Sequence, residues 1–267
     1  MTMIGNRRIL AAAAALCLVG AVTWVLPGCE EATMNTNSGL MPLRAATLPG
    51  NSGLYKTDGS LDAEACKEAY REMMRSFGYP VPAVLNTDEF WVCDFLQADM
   101  ANLGMGGIFW VNEHNTYTAS GAKAYKGKFK DEKFGYLGHE IYLLPGQVLP
   151  EHRHIGGTDG YGPKMEAWHV RHGSVEFFGE YKGAGDETLI SEMPAAEQPW
   201  GFGQDWFKSK FVAKRGPGQR YKLVDPESWH FQRAGPNGAI VSEYATYHNH
   251  VEFSKPGMTF NCTKAKK

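Results

Sequence analysis

The chain is short of net charge, of cysteine and of internal repetition. Its 27 Lys and Arg stand against 29 Asp and Glu, a formal net charge of -2 over 267 residues. No overall basic field therefore favours nucleic acid or an anionic membrane surface, and partners must be inferred from local sites. Five cysteines are too few for a disulfide-dense scaffold, and none has C-x-x-C metal or redox spacing. Cys17 and Cys29 fall near the N-terminus; Cys66, Cys93 and Cys262 are scattered and permit at most one disulfide. With 43% hydrophobic and 21% charged residues, the composition excludes a disordered or collagen-like chain.

One long apolar run is present. Arg7 and Arg8 precede an apolar stretch from Ile9 to Leu26 that contains five consecutive alanines, the pattern of a charged n-region followed by an h-region. Residues 1–28 are therefore read as a signal peptide. The run ends in Leu26-Pro-Gly-Cys29, which resembles a lipobox and makes Cys29 the expected acylated N-terminus of an exported bacterial lipoprotein, periplasmic or anchored at the cell envelope. Ordinary cleavage is one alternative; another is retention as an anchor helix, since about 18 apolar residues is borderline for a span. The Arg7-Arg8 pair also loosely resembles a twin-arginine signal for export of a folded protein. Removing residues 1–28 leaves 25 basic against 29 acidic residues, a charge of -4. Residues 29–53, rich in Thr, Asn, Ser, Gly and Pro, read as a flexible tether.

Beyond the tether, Cys66, Ala69, Tyr70, Met73, Met74 and Phe77 recur with helical spacing, and Lys67, Glu68, Arg71, Glu72 and Arg75 face away. This predicts an amphipathic helix over 63–77, capped by Ser60 or Asp62 and stopped by Gly78 and Pro80. Residues 90–103 read as helical in part, with a strand at 108–111. From Tyr136 onward, short apolar or alternating runs at 136–144, 166–170, 174–181, 207–212, 221–224, 229–232 and 239–247 are separated by Gly, Pro and Asn. Such spacing predicts an all-β sandwich or barrel with the helical segment packed outside it or over one end.

The chemistry concentrates in two stretches, Gly146-Gln-Val-Leu-Pro-Glu-His152-Arg-His154 and Lys164-Met-Glu166-Ala-Trp-His-Val-Arg-His-Gly173, with Pro226-Glu-Ser-Trp-His230 much later. Residues two apart in a strand share a face, so His152 and His154 both project inward and Arg153 points away. Glu166, at the start of the next strand and ahead of a turn at Gly173, adds an oxygen donor, and His230 adds a third imidazole. Three histidines and one glutamate suit Mn, Fe, Co, Ni or Zn, with open positions for substrate oxygens. Satisfied core histidines in a metal-free β protein are the alternative. His169 falls on the outward parity and His172 in the turn. His248 and His250 form a rival pair, but on the parity opposite to Glu243, Ala245 and Tyr247. His114 and His139 have no partner in sequence.

The spacing G-x5-H-x-H, E-x6-G and P-x3-H resembles the cupin superfamily, which implies a double-stranded β-helix, or jelly-roll barrel, with the metal inside. Residues 54–267 would then be a single, mainly β cupin domain with an N-terminal helical extension. From about Lys67 to Gly257 the chain further resembles the D-lyxose isomerase family of sugar ketol-isomerases. The resemblance rests on Phe77-Gly-Tyr-Pro-Val-Pro82, Trp91-Val-Cys-Asp94-Phe, Leu144 to His154, Lys164-Met-Glu166, Pro226 to His230 and Val241-Ser-Glu243-Tyr-Ala-Thr. It implies that His152, His154, Glu166 and His230 hold manganese, that Lys164 and Glu243 line the sugar site, and that Glu243 moves the proton while Lys164 stabilises the oxyanion. A solvated loop lysine and a structural ion pair are the respective alternatives. The glycine-rich 155–163 loop, Ala167 after the ligand glutamate and Tyr247-His-Asn-His250 depart from the family pattern.

Three functions compete. The first is an aldose-ketose isomerase acting on D-lyxose or a related sugar. The second is a cupin dioxygenase using the same donor set, and the third an exported cupin that binds sugar without catalysis. Cupins frequently dimerise through an outer sheet face, and the resemblance implies a homodimer on that analogy.

Overall fold

The computed structural model describes residues 50–114, 135–156, 162–247 and 250–263. The signal at 1–28, Cys29, most of the tether and the centre of the 155–163 loop lie outside the described residues. Among the described residues no helix is long and apolar enough to cross a membrane.

The predicted helix is present as α1, Ala63–Ser76, and the Asp62 carboxylate caps it by accepting the Ala65 N–H at 3.1 Å. Its apolar stripe buries Tyr70, Met73 and Met74 completely or nearly so, each contributing about 1.5–3 kcal/mol through removal from water. The end of the tether is structured: Asn51–Gly53 is a 3-10 turn, and Asn51 bonds Asp99 and the Ala101 N–H.

Ten strands follow among the described residues: β1 Trp91–Cys93, β2 Met105–His114, β3 Gly135–Leu143, β4 Val148–His154, β5 Glu166–Gly179, β6 Thr188–Leu189, β7 Phe211–Arg215, β8 Arg220–Lys222, β9 His230–Thr246 and β10 Val251–Phe253. All pair antiparallel in the order β1-β2-β3-β9-β5-β7-β6, with β4 joined to β9 and β10, and β8 to β5. The long strands organise the molecule. The first part of β9 lies between β4 and the far half of β5, and its second part lies between β3 and the near half of β5. A strand that changes neighbours along its length turns a corner, which wraps the sheet around an interior.

Alternation then sorts the side chains. Trp91, Cys93, Met105, Ile141, Leu143, Trp168, Val170 and Val241 point into the barrel core. Val92, Ile108, Tyr142 and Ile240, on the opposite parity, meet Tyr70, Met73 and Met74 of α1. The helix therefore packs on the outside, and the fold is a mainly β, cupin-type barrel with a helical extension, as expected.

Three local expectations need correction. Residues 90–103 contain no α-helix: after β1 the chain reverses at Asp94, and Phe95, Leu96 and Ala98 take positive φ angles of 55°, 59° and 53°, which a right-handed helix excludes. The Asp94 carboxylate holds this reversal through the Leu96 N–H, the Tyr55 hydroxyl and the Asn261 amide. Residues 207–210 precede β7 instead of opening it, because the Lys208 and Ser209 N–H groups turn to the buried Glu151 carboxylate.

Gly173 is not a turn. It sits inside the continuous β5, where the register shifts and the chain bends, and 229–232 and 239–247 likewise merge into β9. At Gly173 φ is +71°, and an added Cβ would lie 1.9 Å from the Gly238 carbonyl oxygen. Gly173→Ala is expected to cost about 1–3 kcal/mol from backbone strain alone, with the clash adding to it. A urea midpoint unchanged from wild type would refute this account of the bend.

Candidate active site

A cavity of about 370 Å³ opens into the barrel. Its polar lining includes His139, His152, His154, Lys164, Glu166, Gln232 and Glu243, and its apolar walls include Met105, Phe109, Trp168 and Phe253. Every residue singled out as a site candidate therefore lines it except His230, which meets Glu166 from the adjoining wall at 3.1 Å between Nε2 and Oε2.

The three imidazoles are brought together by register. β4 carries His152 and His154 on one face, and His152 pairs directly with His230 at the start of β9. One nitrogen of each of the three rings lies within 4.8 Å of the others. His152 Nδ1 lies 2.8 Å from the Pro150 carbonyl and His230 Nδ1 lies 2.9 Å from that of Ser228. A carbonyl only accepts, so both Nδ1 atoms carry the hydrogen and both Nε2 atoms present lone pairs. Fixing the tautomer through the second nitrogen is the usual support for a metal-ligating histidine. Glu166, at the first position of β5, brings Oε1 to 3.4 Å from His154 Nε2. The residues fit a divalent cation: three imidazole donors and one carboxylate converge, and two tautomers are set for donation.

Arg153 points away, bonded to Glu252 and stacked over Trp229. His169 faces outward in register with Ser242. His172 lies in β5, where the bulges turn its ring against Phe77 and Tyr79. His250 is not among the cavity-lining residues; His248 and the His114 side chain lie outside the described residues.

Lys164 is only 3% exposed, which overturns the solvated-loop alternative. Its ammonium lies 2.7 Å from Glu166 Oε1 and also contacts Glu243 Oε1. Burial opposes its charge, but the two carboxylates hold the Lys164 pKa above its ordinary value. Burial likewise pushes Glu243 up, yet Lys164 and the His139 hydrogen bond bring it below the usual carboxylate range. The same competition, won by His154, Lys164 and His230, takes Glu166 well below that range. Both carboxylates are thus ionised at neutral pH.

His139 is the functional candidate that the sequence left without a partner. It projects from β3 in register with Glu243 on β9, its Nδ1 3.1 Å from Glu243 Oε2. Strand parity was the available signal, since His139 shares a face with Ile141 and Leu143.

Burial, then the closeness of the His230 and His154 imidazoles, hold His152 well below the ordinary histidine range, and burial lowers His154 as well. The unfolded chain takes up protons as pH falls through about 6.5, whereas the folded state resists them. The metal-free protein therefore has its full histidine contribution above about pH 6.5 and loses stability below it. Its urea midpoint is expected to be lower at pH 5.5 than at pH 7.5; equal midpoints would contradict the burial of neutral imidazoles.

No family model matches the chain. A Thermosediminibacter oceani protein named D-lyxose/D-mannose isomerase is 29% identical over 158 residues, 58% of this chain and 70% of that protein. A Cohnella laeviribosi D-lyxose ketol-isomerase is 33% identical over 114 residues, 42% of this chain and 56% of that protein. Over these spans the chain is similar in sequence to D-lyxose isomerases. It also shares its fold with a solved L-ribose isomerase from Cellulomonas parahominis, at TM-score 0.52 and 15% identity, covering 79% of this chain and 98% of the other. The matched stretch spans only about half the length of the Cohnella protein.

Proposed function

We propose that the protein is a metal-dependent aldose-ketose isomerase acting on D-lyxose or a related sugar by proton transfer between C1 and C2. One observation carries this reading: a buried three-histidine group, with Glu166 beside it, adjoins the cavity that holds the ion pair of Glu243 and Lys164. Homology to ketol-isomerases supports it.

His152, His154, His230 and Glu166 would hold the divalent ion, expected to be manganese. When bound, such an ion supplies Lewis acidity that polarises the sugar oxygens and stabilises negative charge. Glu243 takes the C2 proton and returns it to C1. A carboxylate held ionised is competent as a base at neutral pH, but it is a weak one, so the C–H acidity must be raised by charge stabilisation on the oxygens. Lys164, between the two carboxylates, offers N–H donors to the developing oxyanion and relays the hydroxyl proton from O2 to O1, so that the carbon and oxygen transfers balance. Met105, Phe109, Trp168 and Phe253 line the cavity beside the charged centre with apolar surface, and lowering the local dielectric in this way strengthens each of these interactions.

The test is to incubate manganese-loaded protein with aldoses and ketoses in D2O under anaerobic conditions. Exchange of the C2 hydrogen with interconversion of the two sugars is expected. Oxygen consumption on a phenolic or diketone substrate without exchange would replace this reading with a dioxygenase, and sugar binding without exchange would leave a non-catalytic binder.

The leader supports a second proposal: the protein is exported and lipid-anchored through Cys29. Cys29→Ser should then release it from the membrane fraction; unchanged partition would refute the anchor.

A further inference from the structure

We infer that His139 is a positioning residue that fixes the Glu243 carboxylate, holding Oε2 so that Oε1 faces Lys164 and the substrate. The inference rests on Glu243 being the proton shuttle. Its geometry has three independent parts.

The first is the hydrogen bond. Glu243 is ionised and only accepts, so the hydrogen between His139 Nδ1 and Glu243 Oε2, 3.1 Å apart, belongs to the imidazole. With Oε2 engaged, Oε1 is the oxygen that meets Lys164. The two carboxylate oxygens thus have different partners, which fixes the rotation of the carboxylate plane. A base oriented by a third group is the general arrangement of an activated proton-transfer site.

The second is the clamp on the ring. His139 stacks against Phe109 at 4.5 Å between centroids and 29° between planes, and against Trp91 at 5.4 Å and 26°. Trp91 and Phe109 also lie 5.5 Å from each other, so the three rings form one packed triad that restricts the imidazole from swinging away from Glu243.

The third is the space beside it. Gly107 lies where a Cβ would come within 2.5 Å of His139 Nε2 and 2.5 Å of the Trp91 ring. Any larger residue at 107 would displace the imidazole. Nε2 itself, in this recess, has no hydrogen-bond partner among the described residues. A bare acceptor is easier to leave unpaired in an apolar recess than an N–H would be, which agrees with the hydrogen residing on Nδ1.

His139→Phe keeps the ring stack and removes the donor; His139→Asn places an amide donor near the original Nδ1 position. The phenylalanine variant is expected to lower kcat for C2–H exchange by about 10- to 100-fold with metal content unchanged and KM within about twofold. The asparagine variant is expected to recover most of that loss. Equal losses in the two folded variants, or an unchanged kcat in His139→Phe, would overturn the assignment. Nitrogen-15 NMR of the zinc-loaded protein decides the geometry without any turnover: the hydrogen on Nδ1 is expected, and a bare Nδ1 with the hydrogen on Nε2 would overturn the inference. Wild-type protein that exchanges no sugar would remove the isomerase reading, and with it the positioning role, even where NMR places the hydrogen on Nδ1.

Discussion

Replacing Lys164 by methionine is expected to destabilise the metal-free protein by about 3–5 kcal/mol, the range for removing one partner of a buried ion pair. Lys164 is the only ammonium in contact with both Glu166 and Glu243 among the described residues, and all three side chains are buried. Without it, two like-charged carboxylates face each other in a cavity with apolar walls. Their mutual repulsion and desolvation then raise both pKa values, reversing the depression that Lys164 helps to produce. Manganese should recover part of the lost stability, because a cation bound at the histidine set restores positive charge beside Glu166. The measurement is a urea titration with and without metal. A loss under 1 kcal/mol would mean that the cavity admits enough water to screen the pair, and the buried-charge account of the site would fail.

The parts of this site legible in the sequence are those that local geometry decides. His152 and His154 share a face because strand periodicity requires it, and β4 displays them so. Glu166 opens β5, as expected from the break before it. The α1 boundary followed from an apolar stripe and an aspartate cap, both contained within a few turns of chain.

What stayed hidden depends on pairings distant in sequence. Gly173 and the Pro236-Asn-Gly238 stretch carry turn chemistry, yet β5 and β9 continue past them: their register breaks after Val175 and Ala234 and resumes at Gly173 and Ala239. The pairs flanking the break outweigh the local preference, and the glycines mark bends within strands instead of ends of strands. His139 was invisible for a related reason: its carboxylate partner is 104 residues away, and only the β3–β9 register brings them opposite. Residues 90–103 mislead in another way, since their apolar content reflects burial of Phe90 and Met100 in the cluster under α1 and of Phe95 in the barrel core, not a helical face.

Replacing Glu243 by glutamine is expected to lower the rate of C2–H exchange by about 10²–10⁴-fold, the usual contribution of a positioned acid-base group, while leaving bound metal unchanged. Glutamine is close to isosteric, and its carbonyl oxygen can still accept from His139 Nδ1, so the fold of the cavity wall is preserved. Lys164 keeps Glu166 as a partner. What disappears is a group able to take a proton from carbon and return it one atom away. The contrast with His152→Ala makes the result diagnostic: that substitution removes one of the three clustered imidazoles and should lose metal and activity together. A Glu243→Gln protein with full metal content and a rate within tenfold of wild type would assign the proton shuttle elsewhere. Because Glu243 lies outside the donor set, parallel loss of metal would instead mean that its charge is needed to keep Lys164 from competing with the cation for Glu166.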